Sequence, residues 1–223
     1  MPRIGIVSGL LEEAETFRPG AGRRRRRSPY YCREGDDGWV IGCAGIGKVN
    51  AAMVATEMIA AGCDIIVSMG VAGRIGEATA DLFWLDRAYQ HDYGSYRPDR
   101  FVAFRAGSLP FGKPSPEPFV AIANPGIDLP DATIVTGDCF VEDDAKARGM
   151  AREFGAELVD METGAIAQVA AAHKVGWAGI RSVSDQADAS GVTSFKDNLL
   201  GASRKAANAV DRLVDLLLEQ PRS

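Results

Sequence analysis

The stretch Glu157–Asp185, with the sequence ELVDMETGAIAQVAAAHKVGWAGIRSVSD, decides the class of fold. Apolar runs at Glu157–Asp160 and Trp177–Val183 flank the segment Thr163–His173, whose pattern favours a helix. Strands that are apolar throughout are typical of a sheet covered on both faces, and strands that alternate with helices are typical of α/β domains. This stretch therefore predicts strand, helix and strand in an α/β fold.

The same alternation runs through the rest of the chain. Runs rich in β-formers predict strands, and segments of helical period predict helices. We find no internal repeat and no linker, so residues 1–223 are expected to form one domain, a three-layer sandwich with a mixed central β-sheet flanked by helices. The other predicted strands are Arg3–Ser8, Trp39–Cys43, Asp64–Met69, Phe83–Gln90, Phe119–Ala123 and Thr133–Thr136. The other predicted helices are Lys48–Ala61, Asp144–Phe154 and Phe195–Leu218.

The overall charge favours a small ligand. The chain has 223 residues and a formal net charge of −5, and its pI is about 5.2. A protein of this charge has no general field that attracts nucleic acid or anionic lipid. We therefore expect a small-molecule partner, with no nucleic acid and no membrane.

One segment departs from this charge balance. Arg23–Arg27 is a run of five arginines with Gly and Pro residues on both sides. Because Gly and Pro interrupt regular structure, the run is expected to be a solvated surface loop. Contact with an anion or with nucleic acid is the alternative.

The cysteines and the N-terminus indicate a cytoplasmic protein. The spacings of Cys32, Cys43, Cys63 and Cys139 match neither a zinc site nor a redox pair, so the thiols are expected to be reduced. The N-terminus lacks the apolar core of a signal peptide, and no apolar stretch is long enough to span a membrane. The two histidines, His91 and His173, lack metal-ligand spacing, so no metal is expected.

Polar and aromatic residues follow several predicted strands. In open α/β sheets, ligands bind outside the carboxyl ends of the strands. At those positions the chain carries Glu13, Gly70–Gly73, Phe140, Glu162 and Asp185. These residues are therefore expected to share one rim of the sheet.

Two glycine-rich segments do not complete the motifs that they suggest. Gly42–Lys48 matches a phosphate-binding P-loop as far as the lysine, but Val49 stands where a hydroxyl must bind Mg²⁺. Gly70–Gly76 lacks the spacing of a dinucleotide-binding fingerprint. The first is expected to be a tight turn from strand to helix, and the second a close approach of backbone to ligand.

Two segments of the C-terminal half, Val159–Gln168 (VDMETGAIAQ) and Gly179–Asp188 (GIRSVSDQAD), identify a family. Together with further motifs in order, they make the chain resemble the methylthioadenosine/S-adenosylhomocysteine nucleosidases of the purine nucleoside phosphorylase superfamily. The resemblance implies hydrolysis of the N-glycosidic bond of 5′-substituted adenine nucleosides, with release of adenine, as in purine and methionine salvage. The further motifs are Ile4–Val7 followed by Glu12 and Glu13, Gly45–Val49, Gly70–Gly73, His91-Asp92, Gly107–Pro110, Thr136–Phe140 and Ser194-Phe195.

The resemblance also implies a role for individual residues, without a cofactor. Cleavage of this bond requires an acid for the leaving purine and a base for water. Asp185 would be the acid, oriented by Ser184, and Glu13 the base, with Arg181 helping to hold the water. In the substrate pocket, Glu162 would bind the ribose hydroxyls and Met161 would pack on the sugar. Phe140 would stack on the adenine ring, and the backbone of Val141 would bind the edge of the adenine. Phe195 would close over the adenine. The other implied substrate-binding residues are Ile46, Val71, Ala72, Gly73 and Asp160.

This chain departs from the family pattern at some positions. Val71 replaces a small hydroxyl residue, Arg74 replaces a glycine, and Asp160 is one methylene shorter than the frequent Glu. The loop Tyr93–Pro118 is also unlike that of the commonest members. In the family this loop lines the pocket of a dimer partner, so the resemblance implies a homodimer and leaves the 5′ substituent undetermined.

Two other functions compete with hydrolysis. A phosphorylase would share the fold and the purine pocket, but it must bind a dianion, which the carboxylate pair Glu12 and Glu13 would repel. A nucleoside-binding protein without catalysis is the second alternative. Binding alone needs no base, so the joint presence of Glu13, Glu162 and Asp185 argues against it.

Overall fold

A computed structural model describes residues 2–25 and 28–219 of the chain. It contains twelve strands and five helices in the described residues. The strands are β1 Ile4–Ser8, β2 Arg23–Arg24, β3 Tyr31–Glu34, β4 Trp39–Cys43, β5 Ile65–Arg74, β6 Leu82–Gln90, β7 Gly94–Tyr96, β8 Phe101–Ala103, β9 Phe119–Val120, β10 Asp131–Thr136, β11 Leu158–Asp160 and β12 Gly176–Asp185. The helices are α1 Leu11–Thr16, α2 Lys48–Ala60, α3 Asp144–Phe154, α4 Thr163–His173 and α5 Gly191–Glu219.

A mixed sheet forms the centre of the fold, in the order β11-β10-β6-β12-β5-β1-β4-β3-β2, with β9 added to β6. The pairs β1–β4, β1–β5 and β5–β12 are parallel, whereas β6–β12 and β3–β4 are antiparallel. The predicted mixed α/β fold is therefore confirmed.

At its carboxyl end, the long strand β5 also pairs with β11. Its last residues, Gly73 and Arg74, pair antiparallel with Val159 and Leu158 of β11. Since β11 also pairs with β10, the strands β5, β12, β6, β10 and β11 close into a ring. This closure brings the ends of β5, β11 and β12 together.

Helices cover both faces of the sheet. Successive side chains of a strand point to opposite faces, and along β1 Ile4 and Ile6 join a core cluster with α5, whereas Val7 joins a cluster with α2 and α4. The sheet is thus the middle layer of the predicted three-layer arrangement. In the part of the chain that the structure describes, no helix combines the length and apolar character needed to cross a membrane.

The helices whose ends carry strong local signals in the sequence are the ones predicted most accurately. Both bounds of Asp144–Phe154 and Thr163–His173 are confirmed. The side chain of Asp143 accepts hydrogen bonds from Ala145 N and Lys146 N, and Gly155 ends the first of these helices in a left-handed conformation with φ of 61°. The strands β5 and β12 continue beyond the predicted Met69 and Val183.

The expectation for the arginine run was wrong in part. Arg23 and Arg24 are exposed as expected, but they form β2 and pair with Glu34 and Arg33 of β3. Backbone pairing with a neighbouring strand thus overrides the local effect of Gly and Pro. Two members of the run, Arg26 and Arg27, lie outside the described residues.

Leu213→Ala should destabilise the fold strongly. Leu213 lies on α5 and is fully buried against the sheet, so truncation should lower the free energy of unfolding by about 2–5 kcal/mol. Leu200 lies on the same helix and is 54% exposed, and Leu200→Ala should change stability by less than about 0.5 kcal/mol. Urea unfolding followed by circular dichroism measures both. Equal losses in the two variants would contradict the packing of α5 described here.

Candidate active site

A cleft opens at the carboxyl ends of β1, β5, β11 and β12. Its lining is mainly apolar with a few carboxyl and hydroxyl groups, as is usual for sites of small organic ligands. Every residue that the sequence analysis assigned to the site lines the cleft, except Arg181, which is buried behind it. Sequence reasoning missed four lining residues: Cys139 and Val159, which are each adjacent to a predicted residue, and Gly9 and Leu10, which connect β1 to α1.

Glu13 reaches the cleft from α1, which begins directly after β1. Its carboxyl group accepts three backbone hydrogen bonds, from Gly9 N (3.1 Å) and Leu10 N (3.0 Å) at Oε2 and from Val71 N (2.9 Å) at Oε1. The side chain is buried, and burial raises the pKa of Glu13, whereas Arg181 and the three N–H groups act in the opposite direction. Glu13 is thus held in one orientation and has the character of a proton acceptor.

Glycines of β1 and β5 make room for the carboxyl groups. A Cβ atom on Gly70 would lie 2.4 Å from Oε1 of Glu13, and one on Gly73 would lie 3.0 Å from Oδ1 of Asp185. A Cβ atom on Gly9 would lie 2.8 Å from the carboxyl carbon of Glu162. The predicted close approach at Gly70–Gly73 therefore serves the acids of the site itself.

Arg181 and Asp160 form a buried ion pair. Oδ2 of Asp160 lies 2.7 Å from Nη2 and 3.1 Å from Nε of Arg181, and the side chain of Arg181 is 1% exposed. The same oxygen accepts from the backbone and the hydroxyl of Thr163, and Oδ1 accepts from the hydroxyl of Thr136. Both oxygens of Asp160 are thus used inside the protein, and they fix the guanidinium.

One nitrogen of Arg181 remains without a protein partner. Nη2 donates to the hydroxyl of Ser68 at 3.0 Å as well as to Asp160. In contrast, Nη1 is buried and unpaired among the described residues, and it lies 3.0 Å from the position that a Cβ atom on Gly70 would take. Oε1 of Glu13 lies 2.4 Å from the same position, so the carboxyl group and the unpaired nitrogen flank Gly70 together.

Glu162 lies at the other side of this charge cluster. Oε1 accepts a hydrogen bond from Gly47 N at 3.0 Å, and Oε2 lies 3.8 Å from Nη2 of Arg181. Burial, followed by the negative charge of Asp160, raises the pKa of Glu162 to about 8. Glu162 therefore holds its proton near neutral pH and can both donate and accept hydrogen bonds.

Asp185 is the last residue of β12 and lines the cleft. Oδ1 accepts from Ala187 N at 2.9 Å, and Oδ2 lies 2.8 Å from the hydroxyl of Ser184. Burial raises the pKa of Asp185, against the effect of these two hydrogen bonds. The hydroxyl of Ser184 also lies 3.3 Å from the carbonyl oxygen of Ala72, so Ser184 has an acceptor whether or not Asp185 carries a proton.

Aromatic and aliphatic side chains complete the cleft. The rings of Phe140 and Phe195 meet edge to face, with centroids 5.8 Å apart and an interplanar angle of 80°. Phe140 is 41% exposed, which leaves a ring surface free for a planar ligand. The other lining residues of this kind are Leu10, Ile46, Val71, Ala72, Val141, Val159 and Met161.

A polar network that the sequence analysis missed connects two segments beside the cleft. Lys48 donates to Oδ1 of Asp92 through Nζ (2.6 Å) and to Oδ1 of Asp138 through its backbone N (2.8 Å). Asp138 N in turn donates to Oδ2 of Asp92 at 3.0 Å. The network joins the start of α2, which holds Glu162 through Gly47, to the segment that carries Phe140.

The described part of the chain contains no group of three or more His, Cys, Asp or Glu side chains arranged to hold a metal ion. All four cysteines are free thiols, three of them buried and Cys139 exposed. The chemistry that these residues can supply is therefore proton transfer and hydrogen bonding by carboxyl groups beside one guanidinium.

Comparisons with known proteins identify the family of the chain. Residues 3–215 match the family model described as the phosphorylase superfamily. A 5′-methylthioadenosine/S-adenosylhomocysteine nucleosidase of Mycobacterium bovis is 29% identical over 207 residues, which cover 80% of this chain and 81% of that protein. An aminodeoxyfutalosine nucleosidase of Helicobacter pylori is 30% identical over 233 residues and covers 96% of this chain and 99% of its own. The structure of futalosine hydrolase from Helicobacter pylori superposes with a TM-score of 0.81 at 25% identity, covering 96% of this chain and 97% of that one.

Glu162→Gln should change how stability depends on pH. The folded state raises the pKa of Glu162 from 4.5 to about 8, so the stability due to its protonated form is full below the lower value and is lost as the pH rises to the upper one. Glutamine keeps the shape and does not titrate. Between pH 4.5 and about 8, the wild type should therefore lose more free energy of unfolding than the variant.

Urea unfolding at a series of pH values measures this difference. The exposed Glu153 offers a matched control, because Glu153→Gln should follow the wild-type profile. A Glu162→Gln profile parallel to the wild type would show that Glu162 is not the group with the raised pKa.

Proposed function

Because this chain belongs to the phosphorylase superfamily, we propose that it is a nucleosidase that hydrolyses the N-glycosidic bond of 5′-substituted adenine nucleosides and releases adenine. One observation carries the proposal. Two buried carboxyl groups of raised pKa, those of Glu13 on α1 and Asp185 at the end of β12, line the same cleft. An acid and a base on either side of a scissile bond are what glycosidic hydrolysis requires.

Asp185 is proposed as the general acid. Its raised pKa favours the protonated form that an acid must have before the reaction. The proton passes from Oδ1 or Oδ2 to a ring nitrogen of the purine as the bond to the sugar breaks. The hydroxyl of Ser184 then stabilises the carboxylate, since it lies 2.8 Å from Oδ2.

Glu13 is proposed as the base that activates water. Three backbone N–H groups occupy part of its carboxylate and hold it still, so its remaining lone pairs can take a proton from a water molecule beside Oε1. The unpaired Nη1 of Arg181 borders the same space and is proposed to bind that water. The positive charge of Arg181 also favours the ionised form of Glu13 that a base needs.

Glu162 is proposed to bind the ribose hydroxyls. One of its oxygens is fixed by Gly47 N, and the group lies between Glu13 and the start of α2. Met161 supplies an apolar surface for the sugar, and Phe140 and Phe195 supply one for the base. Asp160 is proposed to position Arg181 and not to contact the substrate, because both of its oxygens have protein donors.

The charges of the site favour water over phosphate as the nucleophile. A phosphate dianion needs several uncompensated cationic donors. Here the one guanidinium behind the cleft, Arg181, is already paired with Asp160, and Glu13 and Glu162 add further carboxyl groups. Hydrolysis is therefore favoured over phosphorolysis.

The proposal covers 5′-substituted adenine nucleosides as a class and names no single 5′ substituent. The curated relatives named above differ in their substrates, which are methylthioadenosine and S-adenosylhomocysteine for one and aminodeoxyfutalosine for the other. The purine and ribose sides of the cleft carry the residues discussed above, whereas the segment 93–118 is proposed to approach the 5′ side of a partner subunit. Neither a metal nor an organic cofactor enters the proposal, and a cytoplasmic location is consistent with four free thiols.

Substitution of the two carboxyl groups tests the mechanism. Asp185→Asn keeps the shape but removes the proton, so kcat should fall by roughly 10² to 10⁴, with a smaller effect on substrate binding. Glu13→Gln should also leave binding intact and abolish most turnover, whereas Glu162→Gln should raise KM as well. Release of adenine by a panel of 5′-substituted adenosines, followed with a coupled oxidase, measures these effects and identifies the preferred substituent.

Three results would contradict the proposal. The first is an Asp185→Asn variant that retains more than about a tenth of wild-type kcat, which is outside the range for a general acid. The second is a phosphate-dependent reaction that yields ribose 1-phosphate. The third is activity that is lost with a chelator and restored by a divalent ion. Exposed Glu153→Gln serves as the control that should retain full activity.

A homodimer is proposed from exposed apolar side chains of the segment 93–118 and of α2. Tyr96, Leu109 and Phe111 of the segment 93–118 are 89%, 71% and 67% exposed, and Val49 on α2 is 78% exposed. Large apolar side chains exposed in this way are typical of interaction surfaces. The double substitution Leu109→Ser, Phe111→Ser should therefore shift light scattering from dimer to monomer, whereas Leu200→Ser on the exposed side of α5 should not. A monomeric and fully active wild type would contradict the dimer.

A further inference from the structure

The helix that carries Glu13 has little stability of its own. α1 has six residues, without a side-chain hydrogen bond at its N-cap and without a basic residue in its last turn. An isolated helix of this length does not form in water. The position of Glu13 therefore depends on contacts that α1 makes with the rest of the protein.

Arg33 of β3 makes such contacts at the end of α1. Its Nη1 donates to the carbonyl oxygens of Arg18 (2.6 Å) and Ala21, and its Nη2 donates to those of Phe17 and, at 3.4 Å, Ala14. All four acceptors belong to the last turn of α1 or to the segment that follows it. The guanidinium thus satisfies carbonyl groups that the helix leaves without partners.

These contacts are made by the two terminal nitrogens of a buried guanidinium, whose Nε has no hydrogen-bond partner among the described residues. Arg33 is 8% exposed, and no carboxylate of the described residues lies within ion-pairing distance of it. Its guanidinium instead lies 5.4 Å from the ring centre of Trp39, which packs edge to face against Phe17. A cation near the C-terminus of a helix is favourable, and the planar guanidinium offers five donors where lysine offers three at one point.

Arg33 lies on a strand that is hydrogen-bonded into the central sheet. β3 pairs with β4, and β4 pairs with β1, the strand that leads into α1. On its other side α1 is joined to β5 by the hydrogen bond from Val71 N to Oε1 of Glu13. The short helix is therefore held to the sheet at two points, by Glu13 itself and by Arg33.

We propose that Arg33 is a positioning residue for the reaction, which acts by fixing α1 so that Glu13 stays aligned with Val71 N and Arg181. This inference rests on Glu13 as the base of the proposed function. Displacement of a reacting group by about 1 Å can cost a factor of roughly 10² in rate. Loss of the Arg33 contacts is therefore expected to affect turnover more than substrate binding, because the purine and ribose contacts lie on other elements.

Arg33→Met and Arg33→Lys test the proposal, with Arg3→Met as the matched control. Arg3 also donates to a main-chain carbonyl (Ala61, 3.1 Å) and pairs with Glu34 (3.0 Å), but it lies at the opposite end of β1 from the cleft. Arg33→Met should lower kcat roughly 10- to 100-fold with KM changed less than about threefold, and Arg33→Lys should fall between it and the wild type. Arg3→Met should lose thermal stability but keep its kcat within about twofold.

The pH profile distinguishes positioning from general loss of structure. Arg181 of β12 and Glu162 are the charged groups that face Glu13 from other elements. If α1 moves, both the burial that raises the pKa of Glu13 and the contacts with Arg181 and Val71 N that lower it change, so the acidic limb of kcat/KM should move in Arg33→Met. The limb should not move in Arg3→Met. Circular dichroism at the assay temperature checks that each variant is folded.

An unmoved acidic limb, or a kcat for Arg33→Met equal to that of Arg3→Met, would overturn the proposal. Glu13→Gln, measured in parallel, separates this result from failure of the proposed function. An inactive Glu13→Gln with an Arg33→Met that behaves like the control overturns the role of Arg33 alone. A fully active Glu13→Gln overturns the assignment of the base, and with it both proposals.

Discussion

The buried ion pair between Arg181 and Asp160 is the interaction on which the site depends. Three carboxyl groups, those of Glu13, Asp160 and Glu162, lie around one guanidinium that is 1% exposed. The cation favours the ionised forms of these buried groups, and without Asp160 the cation would be buried without a full partner. Because Thr136 and Thr163 also donate to Asp160, the pair joins the ends of β10, β11 and β12 to the start of α4. The same ion pair therefore determines both the local shape of the cleft and its charge distribution.

The second constraint is space. Gly9, Gly70 and Gly73 lie where β1 and β5 approach the carboxyl groups most closely, and a methyl group at any of them would meet a carboxyl atom at 3.0 Å or less. Buried acids can keep defined distances only if the backbone allows them to approach. The ring of strands closed by the pairing of β5 with β11 brings this backbone to the cleft.

Sequence analysis predicted the features that have strong local signals. The capped helix Asp144–Phe154 and the apolar strand Trp39–Cys43 were placed with the observed bounds, and the residues after each strand were assigned to one cleft that the structure contains. It missed α1, because a six-residue helix with Glu12, Glu13 and Glu15 has no apolar period to detect. It also missed β3, whose sequence YCRE has no strand pattern, and the hairpin of β7 and β8. The use of both oxygens of Asp160 within the protein, and the convergence of four carbonyl groups on Arg33, arise from tertiary packing and have no signature along the chain.

The burial of Glu13 and Asp185 has a consequence for the whole catalytic cycle. On the proposed mechanism each turnover leaves a proton on Glu13 and removes one from Asp185, so the enzyme ends a cycle in the opposite protonation state from the one in which it began. The two residues are 4% and 3% exposed, and both line the cleft that the proposed nucleoside would occupy. The protein can thus return to its starting state only after the products leave and bulk water enters, which links recovery of the catalyst to the opening of the site.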